Sequence, residues 1–571
     1  MKLISEQATV AQRVAKALQR HEVELLFAQS LPSAVVLAAE AIGIRQIAYR
    51  QENMGGAMAD GYARASGKVG VVAAQNGPAA TLLVPPMAEA LKASIPLIAL
   101  VQDVERDQTD KNAFQDLDQI ALFESCSKWV RRVTVGERIE DYVDAAFTAA
   151  VTGRPGPAAL LLPADLLRQV TTERPFARRA SLGRWPLDRS RPSGDVLRQA
   201  AEWISNAASP VVVAGGGVLS SGASEALARL QDFGGLPVAT TNMGKGSVNE
   251  FHPLSLGVLG ALTGPRSLGL HTRSFVEDAD LVILIGTRTN QNGTDSWRQI
   301  SPAARVMHID VDPMEIGRNY EALRLTGDAS ATLGALVQAL EEVDLSERAR
   351  VRPQLEARIA QCWQHFVEAR QPVFGAETWP IRPERVMREL QPWLEKGLTV
   401  VADASYSSMW VVGQLRVAGR GSRFITPRGL AGLGWGVPLA MGAKLADPKT
   451  PVVAIVGDGG FAHSWAELET MIRLGIPVVT IVLNNGILGY QRDAETVKFG
   501  AYTSACHFSP VDHRQIAHAC GCDAVRVEDP AMLALHIKTA IEAGRPYLIE
   551  VMTDPDAHPP LSLFAAMDSV A

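Results

Sequence analysis

The sequence is short of the features that mark several common protein classes. Cysteine occurs five times in 571 residues, at 126, 362, 506, 520 and 522. That odd, scattered set excludes a disulfide framework and fits a reducing cytoplasm. Its one close pair, Cys520-Gly-Cys522, has neither the CxxC spacing of a redox motif nor the usual spacing of a zinc site. Charge of one sign is also missing. A net charge of −6 and a pI near 6.1 leave no basic field for nucleic acid or anionic lipid. No apolar run is long enough to span a bilayer. The opening stretch MKLISEQATVAQRVAKALQRH lacks the apolar core and cleavage site of a signal peptide. It reads as an amphipathic helix with Val10, Val14, Ala17 and Leu18 on one face. No strand is followed by GxGxxG and a downstream acid, which argues against a nicotinamide-dependent dehydrogenase. What remains is a globular chain, 47% hydrophobic and 20% charged, with the composition of a small-molecule enzyme and length for three or four domains.

The organisation is legible as alternation. Residues 1–167 interleave helical patterns with the β-rich runs EVELLFAQ, RQIAYR, VGVVAAQ, PLIALV and PAALLLP, the rhythm of a doubly wound parallel sheet. Residues 168–192, rich in arginine and proline, read as a linker. A second alternating unit, 193–342, holds PVVVAGGGV, LPVATTNM, DLVILIGTR and ARVMHIDVD. A charged helical stretch and the loop QPVFGAETWP (343–379) lead to a third unit, 380–571. The expected fold class is α/β, with three doubly wound parallel-sheet domains.

The most informative stretch is IVGDGGFAHSWAELETMIRLGIPVVTIVLNNGILGY, 455–490. A β-branched run ends at glycine and places Asp458 at a strand's carboxyl end. A helical pattern follows and stops at Gly475. A second apolar run then ends at Asn484 and Asn485. A strand, helix, strand crossover makes these strands parallel, with both carboxyl ends at one rim. Asp458 and Asn485 become neighbours there, and hard oxygen ligands of that kind suit Mg²⁺ completed by phosphates. Gly457, Gly459 and Gly460 leave room for backbone amides to approach.

This arrangement resembles the diphosphate-binding motif of thiamine diphosphate (ThDP) enzymes. The resemblance implies that Asp458, Asn485 and the carbonyl of Ile487 hold the metal. A second block, YRQENMGGAMADGYARASGKVGVV (49–72), resembles the corresponding block of acetolactate-synthase-like enzymes. There a glutamate, here Glu52, contacts N1′ of the cofactor's aminopyrimidine. Such a contact promotes the imino tautomer, whose nitrogen can take the C2 proton. Gln51 stands where the family usually has histidine. A third block, ITPRGLAGLGWGVPLAMGAK (425–444), resembles the family's glycine-rich segment. It implies that Leu433, beside Gly432, is the apolar strut that bends the cofactor. Gln115 and Phe114 in NAFQDLDQIALF match a softer family segment and become candidates at the active-site cavity, and Asn76 to Pro78 in AAQNGPAAT match another whose turn closes over the cofactor. Lys128 reads as a solvated charge.

The middle unit resembles the flavin-carrying domain of the same family, where relatives hold FAD, ADP or nothing. FAD is therefore a candidate cofactor, with Gly215, Gly216, Arg288, Asp310 and Asp328 as contacts. Two departures bear on the substrate. Ser30, Leu31 and Pro32 replace a Pro-Gly-Gly loop, and Tyr490, Gln491 and Arg492 replace a segment with a gating tryptophan. The expected function is ThDP- and Mg²⁺-dependent making or breaking of a C–C bond next to a carbonyl, on a small 2-oxo acid or related carbonyl compound. The alternatives are a 2-hydroxyacyl-CoA lyase or an oxalyl-CoA-type decarboxylase, and a non-catalytic nucleotide-binding relative. The family's active site lies between subunits, which implies a homodimer at minimum, a homotetramer as the common outcome, and no nucleic acid or membrane partner.

Overall fold

The computed structural model describes residues 7–172, 180–417, 423–565 and 567. The opening residues 1–6 and part of the expected linker lie outside them. Three six-stranded sheets carry the chain, each wholly parallel. The first contains β1 (Leu25–Ala28), β2 (Arg45–Ile47), β3 (Gly70–Ala74), β4 (Leu97–Asp103), β5 (Trp129–Arg132) and β6 (Ala158–Pro163), in the order β2-β1-β3-β4-β6-β5. The central sheet contains β7 (Pro210–Ala214), β8 (Val238–Thr240), β9 (Ser255–Val258), β10 (Leu281–Ile285), β11 (Arg305–Asp310) and β12 (Leu323–Thr326), in the order β9-β8-β7-β10-β11-β12. The last contains β13 (Thr399–Ala402), β14 (Arg423–Ile425), β15 (Val452–Gly457), β16 (Val478–Asn484), β17 (Asp523–Val527) and β18 (Tyr547–Met552), in the order β14-β13-β15-β16-β18-β17.

The strands form where continuous β-branched runs are buried on both faces, as parallel sheets require. β7 and β10 are buried at every residue. Three shorter strands, β5, β9 and β12, lie at or beside sheet edges, and no apolar run announces them. The charged stretch after 343 is helical from Ser346 to Phe374. It takes in the first four residues, QPVF, of the expected QPVFGAETWP loop, and the buried Ile359 and Phe366 anchor it along its length. The amphipathic helix near the start spans Val10–Arg20 with Val10, Val14, Ala17 and Leu18 buried. Among the described residues no helix is long and apolar enough to cross a membrane.

The first and last sheets share one core. Helix α1 (Glu52–Ser66) crosses helix α4 (Gly436–Ala446), and Met58, Tyr62, Leu439 and Met441 join a single apolar cluster reaching both sheets. Two glycines allow that close crossing. A Cβ on Gly61 would sit 2.1 Å from the Leu439 carbonyl oxygen, and one on Gly442 would sit 2.0 Å from that of Met58.

Candidate active site

β15 and β16 end side by side, with Gly457 paired to Leu483. Asp458 begins a one-turn helix directly after β15, and Asn485 follows β16. A cleft of about 560 Å³ opens between them, lined by Leu433, Gly457, Asp458, Gly459, Gly460, Asn485 and Ile487 together with Ser405, Tyr406 and Ser407. Gly432 is not in its wall; the Trp435 ring packs over it instead. The Asp458 carboxylate accepts the Gly486 amide at 3.1 Å, and the Asn485 side-chain oxygen accepts that of Ile487 at 3.2 Å. Burial pushes the Asp458 carboxyl up to about 6, against the pull of nearby backbone amides, those of Gly459, Gly486 and Asn485 among them. A buried carboxylate with no cation beside it, next to an amide oxygen and a carbonyl, is a hard donor set that fits Mg²⁺. Among the described residues no cluster of three His, Cys, Asp or Glu side chains gathers elsewhere to hold a metal.

The loop carrying Leu433 is held from both sides by carboxylates. Asp403, at the end of β13, accepts the amides of Gly434 at 2.9 Å, Trp435 at 3.0 Å and Gly436 at 3.2 Å. A Cβ on Gly460 would sit 2.1 Å from an Asp403 carboxylate oxygen, so only glycine fits there. From the other domain, Glu89 of helix α2 (Pro78–Ala93) accepts the amides of Gly429 at 2.7 Å and Ala431 at 3.3 Å. Reciprocally, Glu467 of helix α5 (Glu467–Leu474) accepts the amides of Arg50 at 3.0 Å and Gln51 at 3.3 Å. Each domain thus pins the backbone beside the other's candidate residue: Glu89 near Leu433, Glu467 next to Glu52. Burial raises the Glu467 carboxyl above its ordinary value, opposed by its hydrogen bonds to Thr470 and the two amides.

Glu52 is the first residue of α1, after the extended Gln51, where the helix dipole favours a carboxylate. It does not line the cleft that contains Asp458. Asn76 is buried, and its side-chain amide donates to the Gln115 carbonyl at 2.9 Å. Gln115 itself has φ of 60°, and its side-chain oxygen is buried without a partner. A non-glycine residue in left-handed backbone with an orphaned acceptor marks a site that something else completes. Ser30 is exposed just beyond β1. Phe114 is 84% exposed, so in one chain it walls no cavity. Lys128 is exposed, as expected of a solvated charge, and its ammonium donates to the Thr152 carbonyl at 2.8 Å. Of the residues expected near the missing tryptophan, Tyr490 packs edge-on against Tyr406 of the cleft wall at 6.0 Å. Gln491 and Arg492 are committed to Glu495 and Asp493.

A second cavity, about 1170 Å³, opens at the carboxyl ends of β7, β10 and β11. The order of the strands switches from one side to the other there, between β7 and β10, the place where doubly wound sheets of this order take nucleotides. Gly216, Arg288, Asp310 and Asp328 all line it. Gly215 does not; a Cβ there would sit 2.3 Å from the Gly286 carbonyl oxygen, so it serves close packing. Burial pushes the Asp310 carboxyl up to about 6. Asp328 is already occupied. It caps the helix Ala329–Leu340, pairs with Arg189 at 2.9 Å and accepts the Ser221 hydroxyl at 2.7 Å. Asp403, Ser405, Glu89 and Glu467 escaped the sequence reading. Asp403 alone had a local signal, an acid closing the run LTVVAD at the same kind of strand end as Asp458.

Comparison with known proteins covers most of the chain. Models for the thiamine pyrophosphate enzyme N-terminal TPP binding domain, central domain and C-terminal TPP binding domain match residues 8–122, 197–336 and 403–551. A probable acetolactate synthase large subunit of Methanocaldococcus jannaschii is 33% identical over 95% of this chain and 92% of its own length. That of Methanococcus aeolicus is 32% identical over 96% and 92%. An acetolactate synthase of Mycobacterium bovis is 31% identical over 92% and 84%.

Proposed function

Because this chain belongs to the thiamine pyrophosphate enzyme family, in its acetolactate synthase-like branch, we propose that it is a Mg²⁺- and ThDP-dependent carboligase joining small 2-oxo acids, with pyruvate as the first substrate to try. The observation that carries this reading is the cleft in which Asp458, Asn485 and Ile487 meet three glycines and Leu433. When bound, the cofactor supplies an electron sink next to a substrate carbonyl. The rest falls to the chain. Asp458, Asn485 and the Ile487 carbonyl hold the metal, and Gly457, Gly459 and Gly460 let amides approach the diphosphate. Leu433 would be the apolar support for the bound cofactor. Glu52 would hold a proton at N1′, Asn76 would contact the cofactor, and Gln115 and Ser30 would contact the substrate.

Glu52 and Asp458 line no common cleft within one chain, which supports an active site built from two copies, a homodimer at minimum and a homotetramer as the expected assembly. The relatives' designation as large subunits makes a small regulatory chain a further candidate partner. The central cavity suits FAD or another nucleotide, with Gly216, Arg288 and Asp310 as contacts; the visible spectrum and nucleotide content of the purified protein test this. A second reading, a lyase or decarboxylase acting on a 2-hydroxyacyl or oxalyl thioester, draws support from the bulky Ser30-Leu31-Pro32 loop and the lack of a tryptophan near Tyr490. A pyruvate assay with ThDP and Mg²⁺, following CO₂ and acetolactate together, separates the two. Efficient acetolactate formation supports the carboligase, and unconsumed pyruvate transfers the proposal to thioesters.

A further inference from the structure

Arg428 stands at the seam between the two cavities, and its surroundings are incomplete. It lines the central cavity together with Asn242, Asn290 and Asn292. Its guanidinium also touches helix α3 (Tyr406–Gln414), donating to the Ser408 hydroxyl at 3.3 Å and approaching the Met409 sulfur at 4.0 Å. The neighbouring residues of that helix, Tyr406 and Ser407, wall the cleft of Asp458. Burial pushes Arg428 below its ordinary value, with Tyr490 and Glu89 the nearest groups that oppose the shift. Glu89 cannot serve as its counter-ion. Its oxygens are engaged by the amides of Gly429 and Ala431, with Arg64 at 3.5 Å. Among the described residues no carboxylate lies within ion-pair distance of Arg428.

A guanidinium offers five donors in a rigid fork. Here one hydroxyl and one thioether meet it in a half-buried position on a cavity wall, so among the described residues the partly desolvated charge has no compensating anion. The backbone directly after it is fixed as well, because Glu89 holds the amides of Gly429 and Ala431 and Asp403 those of Gly434, Trp435 and Gly436. We propose that Arg428 is the anchor for the carboxylate of the 2-oxo acid substrate, receiving it as a two-point hydrogen-bonded pair at the junction of the cleft and the central cavity. This rests on the carboligase reading for the identity of the substrate. Placed there, the cation selects for acids over neutral carbonyl compounds, since an uncharged analogue leaves it unpaired.

The test uses the full-length protein with ThDP and Mg²⁺, comparing wild type with Arg428→Met and Arg428→Lys. Oxamate, a non-reacting isostere of pyruvate, is titrated calorimetrically, KM is measured for pyruvate, and the uncharged methyl ester, which has no carboxylate to lose as CO₂, is measured as an inhibitor. The expected result is about 10- to 100-fold weaker oxamate binding in Arg428→Met. The pyruvate KM rises alongside, the inhibition constant of the ester does not move, and Arg428→Lys falls between. If Arg428→Met does not fold, the Lys variant is read alone for the same direction of change. Oxamate binding unchanged by the substitutions, or absent from the wild type, overturns the anchor. Loss of bound nucleotide with oxamate affinity intact also overturns it, by assigning the cation to a phosphate. Failure of the carboligase reading is seen separately, as wild-type protein that binds oxamate but leaves pyruvate unconsumed.

Discussion

The first and last sheets are the same object in different chemical dress. Both run in the relative order 2-1-3-4-6-5 with every strand parallel, and each sends a helix into the shared core through a glycine. Their rims differ. The last sheet ends in Asp403, Asp458 and Asn485, oxygen donors arranged around a glycine-lined cleft. The first ends in Asn76 and leads through Gln51 to Glu52, which suits a proton and a polar ring better than a metal and phosphates. The comparison teaches that the fold supplies two equivalent rims, and that the few residues just beyond the strands divide the labour between them.

Exchanging the character of single rim residues should break the division in graded steps. The largest effect is expected from Glu52→Gln, which keeps the shape and removes the proton-holding carboxylate. Turnover should fall about 10²- to 10⁴-fold while ThDP content after gel filtration stays at the wild-type level. Asp458→Ala attacks the other rim. Mg²⁺-dependent cofactor retention should weaken by at least about 10- to 100-fold, and retention equal to wild type after chelation and readdition would contradict the clamp.

The shared core sharpens the comparison in a different currency, stability. Gly442→Ala puts a Cβ into the Met58 carbonyl and should cost about 1–3 kcal/mol, read as a lower denaturation midpoint. The smallest effect belongs to the central sheet, outside the pair. Burial holds Asp310 up to about 6 against an ordinary 3.8. A carboxyl raised in this way contributes stability that is fully present below pH 3.8 and is lost as pH rises through about 6. Relative to wild type, nucleotide-free Asp310→Asn should therefore lose less stability on going from pH 4 to pH 7, by on the order of 2 kcal/mol. Parallel melting-temperature profiles for the two proteins would remove the basis for that shift.

The long-period features were legible in the sequence. Continuous β-branched runs such as VVAIV and VILI can be buried only in a parallel sheet, so the three-sheet α/β class followed from them. Asp458, Asn485 and Glu52 were legible as candidates because the first two sit one residue past a strand end and Glu52 opens the helix five residues after another, places fixed by local pattern. The short edge strand Trp129–Arg132 was not, because three of its four residues remain at least partly exposed and it carries no apolar run. The cross-domain caps were not legible either. Glu89 lies 340 residues from Gly429 and Glu467 lies 417 from Arg50, and no local property of a helical glutamate records which distant amides it meets. Arg428 sits in a glycine-rich loop that resembles the family's, and only the packing around it reveals a charge with no carboxylate partner among the described residues.

The most direct test of the divided rims is to co-express Glu52→Gln and Asp458→Ala chains under separate tags and assay the purified mixed assembly. If one chain's first rim works against its partner's last rim, the mixed dimer has one intact site and recovers activity that neither variant has alone. If both rims serve within a single chain, every site carries a lesion and the mixture stays as inactive as its parents.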